Sequence, residues 1–270
     1  MTVLKRLAAI LIGLIAILYL GATGLLFFLQ RDFQYAPAGE VFEPQAVGFS
    51  GEVVTIPTGG DEIVTGWYAP PRDGMPVILY FKGNAGSFSA EHVRYRAFSE
   101  AGYGVLAFDY RGFPASPGVL SEENILADAL SAYDWLAREG HPILIWGRSL
   151  GSGPASYVAS VREAEALLLE TPFYSAVSVA GERYGFLPVG WLMHDQFRVD
   201  QWIGEVAEPV FVAHGTADEV ISVGNGERVF AAAPNAVELW IEPGGTHGDL
   251  WARGIWERAR AFFESVNRGG

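Results

Sequence analysis

Six short apolar runs recur along the chain, the last broken only by Glu238: Val77 to Phe81, Val105 to Phe108, Ile143 to Trp146, Ala166 to Leu169, Val210 to Ala213 and Val237 to Ile241. A strand with one face in water alternates apolar and polar residues. A strand that is apolar at every position must be covered on both faces, which is the situation in a parallel sheet with helical crossovers. The intervals between the runs carry helical periodicity, most plainly from Ser121 to Arg138. There Ser121 stands ahead of Glu122, Glu123 and Asn124, and Ile125, Leu126, Ala129, Tyr133 and Leu136 follow at helical spacing before Gly140. Two further strand-like stretches, Glu52 to Ile56 and Ile63 to Tyr68, flank Gly59-Gly60-Asp61 and predict an antiparallel hairpin at the start of the domain. The expected fold class is therefore α/β: an eight-stranded, mostly parallel sheet with helices on both faces. The expected organisation is an N-terminal segment over residues 1–30, a connector over 31–49 marked by Pro37, Gly39 and Pro44, and one domain over 50–270. A short lid-like insertion is expected at about 171–208.

The N-terminal segment stands apart from this pattern. Leu7 to Leu29 has no charged residue, and only Tyr19 and Thr23 are appreciably polar, whereas about 20 such residues suffice to span a bilayer core. A buried core helix would show a polar face, and this stretch has none. Lys5 and Arg6 precede it while Arg31 and Asp32 close it, so the positive-inside tendency places the N-terminus in the cytoplasm and the domain on the other side. Ala22-Thr23-Gly24 offers the small residues of a cleavable signal, but the apolar run is longer than a signal core and continues to Leu29. A single-pass anchor is the expectation. A formal net charge of −13 argues against a nucleic-acid partner, since phosphate binding needs clustered Lys and Arg. The absence of cysteine excludes disulfides, thiolate metal sites, Cys nucleophiles and S-acyl anchors.

The chemistry is concentrated at Gly147-Arg148-Ser149-Leu150-Gly151, which follows the run ending at Trp146 and precedes a helix-compatible stretch through Val161. A serine on a sharp strand-to-helix turn presents its hydroxyl, and the flanking glycines leave room where side chains would strike neighbouring backbone. A serine hydroxyl needs a base, and the base needs a partner that orients it. Of the five histidines, His247 lies in a Pro243-to-Gly248 loop between the last predicted strand and the last predicted helix, where it has no core to fill. His214 ends a buried strand and is expected to hydrogen-bond loop backbone; His92, His141 and His194 lie elsewhere. Asp218, in Thr216-Ala217-Asp218-Glu219-Val220, supplies the carboxylate, with Glu219, Glu242 and Asp249 as weaker rivals. All three residues follow the carboxyl ends of strands, the rim at which parallel sheets bind ligands. The backbone N–H of Leu150 and that of Asn84, in Phe81-Lys82-Gly83-Asn84-Ala85-Gly86, are the candidate donors to an oxyanion.

Lys82-Gly83-Asn84-Ala85-Gly86, Asp109-Tyr110-Arg111-Gly112, Gly147-Arg148-Ser149-Leu150-Gly151, Pro172-Phe173, His214-Gly215-Thr216-Ala217-Asp218 and Gly245-Thr246-His247 together resemble the α/β-hydrolase superfamily over residues 50 to 265. Within it they resemble the branch of serine-aminopeptidase-like hydrolases and single-pass or depalmitoylating α/β-hydrolase-domain proteins. The resemblance implies Ser149 as nucleophile, His247 as base, Asp218 as orienting acid and Asn84 and Leu150 as oxyanion donors. Two positions depart from that branch: Lys82 stands where histidine is usual, and Phe113-Pro114-Ala115 stands where glycine follows the Arg-Gly pair. Lys82 is expected to pair with a carboxylate rather than to serve the oxyanion. Hydrolysis of a carboxylic ester or thioester, with no cofactor, is the expected activity. A peptidase acting on short peptides and an inactive membrane-anchored scaffold are the alternatives. The apolar residues of the insertion, Phe173, Tyr174, Tyr184, Phe186, Leu187, Trp191, Leu192 and Met193, suit either an acyl pocket or simple core filling.

Overall fold

The computed structural model describes residues 2–267; Met1 of the predicted anchor and residues 268–270 of the predicted domain lie outside them. The chain opens with a long helix, α1 (Val3–Gln34), and continues through β1 (Glu52–Gly59), β2 (Glu62–Ala69), β3 (Val77–Phe81), α2 (His92–Glu100), β4 (Gly104–Phe108), α3 (Glu122–Ala137) and β5 (Ile143–Arg148). There follow α4 (Ser152–Val161), β6 (Ala166–Glu170), three short helices α5 (Ala176–Arg183), α6 (Val189–Leu192) and α7 (Val199–Trp202), then β7 (Val210–Gly215), α8 (Val223–Ala232), β8 (Ala236–Glu242) and α9 (Ile255–Asn267). The eight strands form one sheet in the order β1-β2-β4-β3-β5-β6-β7-β8. Among the described strands the β1/β2 and β2/β4 pairings are antiparallel, and from β4 to β8 every pairing is parallel.

The strands read as covered on both faces are so covered: every residue of β3, β4, β6 and β7 is buried. Because successive side chains point to opposite faces, each strand feeds two cores. Leu79, Phe81, Ile145 and Leu167 join one with α3 and α4, while Ile78, Tyr80, Trp146 and Leu168 join the other with α2 and α9. The exception is β8, whose residues are mostly half-exposed; it is an edge strand, with β7 as its one neighbour among the described strands, and the run broken only by Glu238 did not distinguish edge from interior. Ser121 caps α3 as its pattern predicts, its hydroxyl accepting from the Asn124 N–H.

The insertion between β6 and β7 folds as α5, α6 and α7, capped within itself at its start and tied to α3 near its end. Ser175 and Ser178 form a capping box on α5. The backbone N–H groups of Gln196 and Phe197 donate to the Glu122 carboxylate at the start of α3, at 2.6 and 2.9 Å. The first helix runs on past the apolar segment to Gln34, four positions into the predicted connector, because polar residues in its last turns have partners on the insertion. Arg31 makes a two-pronged pair with Asp195 at 2.9 and 3.0 Å, and Tyr35 Oη donates to the same carboxylate at 2.9 Å.

Candidate active site

Parallel pairing brings the site together by register. Phe81 lies opposite Gly147 across β3 and β5, so the loop after β3 leaves the sheet beside the turn after β5. Gly215 lies opposite Glu242 across β7 and β8, so the loops carrying Asp218 and His247 also leave together. Those two loops bond to each other: Ala217 N–H donates to the Gly245 carbonyl at 2.8 Å and Gly244 N–H to Thr216 Oγ1 at 2.8 Å. A side chain at Gly215 would overlap the Gly245 carbonyl, so glycine there is a condition of their approach.

Ser149 follows β5 directly with φ of +51°, a left-handed conformation that a non-glycine residue adopts only when its surroundings compel it. The glycines compel it. A Cβ at Gly151 would overlap the Phe81 carbonyl, and one at Gly147 would meet the Gly151 carbonyl and Ala155, so α4 can start hard against β3 only with this sequence. The turn leaves Ser149 Oγ at 2.8 Å from His247 Nε2, and His247 Nδ1 lies 2.8 Å from Asp218 Oδ2. With Nδ1 donating to the carboxylate, Nε2 is the acceptor and Ser149 the donor. Such a relay can take the serine proton as Oγ forms a bond to an acyl carbon and return it to the leaving group.

Asp218 is held by four donors. Oδ1 accepts from the N–H groups of Val220 and Ile221, both at 2.9 Å, while Oδ2 receives His247 and lies 3.3 Å from His214 Nε2. Burial pushes its carboxyl up, but hydrogen bonds from His214, His247 and the Ile221 N–H outweigh this and hold it well below the usual carboxylate range. Asp218 therefore stays ionised opposite the imidazole. His214 bonds loop backbone as expected, Nε2 donating to the Ile221 carbonyl at 2.9 Å, yet its reach to Asp218 makes it a support of the acid that sequence did not show. Of the rival carboxylates, Asp249 and Glu242 both pair with Arg253, at 2.7 and 3.3 Å. Asp249 also accepts from Thr246 N–H at 2.7 Å and so fixes the His247 loop. Glu219 is exposed.

Gly83 approaches the nucleophile so closely that a Cβ there would stand 3.7 Å from Ser149 Cβ. The Asn84 side chain is turned the other way, Oδ1 accepting from Ala36 N–H at 3.2 Å, and among the described residues no protein acceptor takes its backbone N–H. Lys82 is buried, with Nζ 3.8 Å from Asp109 Oδ1 and donating to the Gly83 carbonyl at 3.0 Å, so it pairs with a carboxylate as read. Its ammonium also sits 3.7 Å from the centre of the Phe113 ring. The two departures from the family pattern are thus one contact, a cation on an aromatic face. Burial lowers the Lys82 ammonium to about 8 against the opposing pull of Asp109.

A charged cluster under the serine turn also escaped the sequence reading. Arg94 pairs bidentately with Glu170 at 2.7 and 2.8 Å, and Arg148 lies 3.3 Å from Glu91. Tyr80 Oη donates to Glu91 at 2.6 Å and Trp146 Nε1 to Glu170 at 3.1 Å. The cluster clamps the ends of β5 and β6 to α2 and its lead-in. Its only sequence trace was a glutamate ending an apolar run.

A cavity of about 290 Å³ opens over Ser149. Ser149, Leu150 and Asn84 form its floor, and Phe173, Tyr184, Leu187, Leu192 and Met193 of the insertion line it, so these lining residues do more than fill core. Leu26, Phe27, Gln30, Phe33 and Gln34 of α1 line it too, which no local pattern in the sequence indicated. Among the described residues no group of His, Asp or Glu has a metal-holding arrangement.

No family model matches the chain. The uncharacterized protein Rv2307c of Mycobacterium tuberculosis is 34% identical over 256 residues, covering 91% of this chain and 90% of that one. Lysophosphatidylserine lipase ABHD12 of Danio rerio is 32% identical over 198 residues, 64% of this chain and 51% of that one, so the chain spans about half that relative's length. Among solved structures, the Pyrococcus furiosus esterase Pf2001 superposes with a TM-score of 0.68 at 22% identity, over 87% of this chain and 98% of that one. The structural likeness bears on the fold alone, while the identity to Rv2307c runs through nearly all of both chains. The sheet order, the serine turn and the relatives agree that this chain belongs to the α/β-hydrolase superfamily.

Proposed function

We propose that the protein is a membrane-anchored serine hydrolase that cleaves carboxylic esters or thioesters of apolar acyl groups. The observation that carries this reading is the unbroken relay of two 2.8 Å contacts from Ser149 through His247 to Asp218, opening on an apolar cavity. Ser149 Oγ attacks the acyl carbon while His247 takes its proton; the N–H groups of Leu150 and Asn84 receive the oxyanion; His247 then protonates the leaving alcohol or thiol. Water, activated by the same imidazole, releases the acid. Asp218, ionised throughout, stabilises the imidazolium in both steps.

A lysophosphatidylserine lipase among the relatives supports ester chemistry. The anchor reading rests on α1, which is long and apolar enough to cross a membrane and has none of its most apolar window buried in the protein. Its continuation to Gln34, past the cleavage-like Ala22-Thr23-Gly24, and the pinning of Arg31 to Asp195 favour an anchor that is retained. Lys5 and Arg6 favour a hydrolase domain on the non-cytoplasmic side.

The test is labelling of the purified full-length chain in detergent with a small fluorophosphonate, alongside turnover of p-nitrophenyl esters. Labelling should be complete in the wild type, lost in Ser149→Ala and retained in Ser160→Ala, a serine whose hydroxyl donates to the Tyr157 carbonyl of its own helix. A folded protein that neither labels nor turns over any ester would instead be a scaffold.

A further inference from the structure

The wall that α1 contributes to the cavity goes beyond anchoring. Leu26 and Phe27 lie inside the apolar segment, and Phe33 just beyond it, yet all three share the lining of the cavity with Ser149. The cavity therefore begins on the protein's sheet rim and ends against the helix that enters the bilayer. Its volume of about 290 Å³ is roughly twice the ~150 Å³ that accepts a benzene molecule. That is room for one acyl chain, not two.

The insertion follows the helix into the same region. Tyr19 Oη donates to the Phe186 carbonyl at 3.1 Å, and Tyr19 stands about 16 Å along the helix axis before Gln30. The segment around Phe186 thus lies beside the middle of the span. Phe186 is 69% exposed and Trp191 91% exposed, the latter among the most exposed large apolar side chains of the described residues. In water such exposure is unfavourable; at the lipid interface it is where tryptophan concentrates. Both ends of the Gln30 side chain at this junction are bonded internally, as a hydrocarbon environment favours: Gln30 Nε2 donates to the Leu192 carbonyl at 3.2 Å and Gln30 Oε1 accepts from His194 N–H at 2.7 Å.

We propose that α1 is part of the substrate site, and that the cavity opens sideways between α1 and the insertion into the adjoining membrane leaflet. Its substrate is then the single acyl chain of an ester lipid that passes from bilayer to Ser149 without crossing water. This rests on the hydrolase reading above.

The test uses full-length protein in phosphatidylcholine vesicles and a twelve-carbon alkyl fluorophosphonate bearing a diazirine at the chain end. Ser149 Oγ displaces fluoride from phosphorus, fixing the head, and illumination then marks where the tail lies. Cross-links to the peptide containing Leu26 and Phe27 are expected; a tail cross-linked only to the sheet or to α8 overturns the proposal. In parallel, Leu26→Trp should lower the ratio of sixteen-carbon to four-carbon p-nitrophenyl ester turnover at least tenfold, while Leu18→Trp, outside the cavity, leaves that ratio unchanged. Equal loss at both chain lengths in Leu26→Trp, or no loss, overturns it. If even a short fluorophosphonate fails to label Ser149, the hydrolase reading itself falls and takes this one with it; labelling with a tail that avoids α1 sinks this one alone.

Discussion

Ser149, with its φ of +51°, and Asp218, with four donors around one carboxylate, show how much of the site is set by single residues under constraint. Asp218→Asn removes the charge that faces the imidazole and allows the wrong tautomer, so kcat on a p-nitrophenyl ester should fall by about 10⁴-fold, by analogy with other triads. A loss of less than tenfold would show that the carboxylate does not orient His247. Lys82 makes a prediction of a different kind. Its ammonium is lowered to about 8 by burial, whereas in the unfolded chain lysine titrates at about 10.4. Between those values the unfolded state binds more protons, so stability attributable to this group rises with pH. Relative to Lys82→Met, the wild type should gain about 1–3 kcal/mol between pH 7 and pH 10, read by thermal unfolding of both in the same detergent. A difference that stays constant across that range would mean the ammonium is not desolvated on Phe113.

At the scale of elements, the site depends on backbones that touch. The start of α4 meets the end of β3 at Gly151, where any Cβ overlaps the Phe81 carbonyl. Gly151→Ala should cost at least about 3 kcal/mol, the upper range for overpacking a rigid site, and should lower ester turnover in whatever folded protein remains. The last turns of α1 meet the insertion through Arg31 and Asp195, a pair of which the carboxylate is 4% and the guanidinium 41% exposed. Solvent screens the arginine, so the pair is worth less than a buried one, but removing Arg31 leaves the carboxylate, among the described residues, with Tyr35 as its remaining side-chain donor. Arg31→Ala should therefore destabilise by about 1–2 kcal/mol. Because the insertion roofs the cavity, the same change should raise KM for long-chain esters more than it lowers kcat. Unchanged melting would show that the helix and the insertion are held by other contacts.

The whole molecule combines a sheet rim bearing the relay, an insertion over it and a long apolar helix along one side of the cavity. If the helix is retained as an anchor, intact mass should show a chain that includes residues 1 to 24, and alkaline carbonate should leave the protein in the membrane pellet. A mature chain beginning after Gly24 would contradict the anchor while leaving the hydrolase site intact. The relay itself was legible because strand-to-helix punctuation marks a serine turn, and because the order Ser149, Asp218, His247 follows successive strand ends. The supporting shell was not. Glu170 pairs with Arg94 from a distant part of the chain, and His214 reaches an aspartate across its own loop; neither spacing has a periodicity to read.

What the sequence by itself determined follows from local rules: apolar runs become buried strands because their backbones can be satisfied only by neighbours, and Gly147 and Gly151 permit the turn between them because they have no side chain. An N-terminal helix able to span a membrane was equally certain from its length and lack of charge. Only the tertiary structure decided that Lys82 and Phe113 are one contact, that β8 is an edge, and that Leu26 and Phe27 line the cavity over Ser149. Each of these depends on which surfaces remain after the sheet has closed its register. Such leftover proximity is a property of the packed chain, and residues that meet only there carry no mark of it along the sequence.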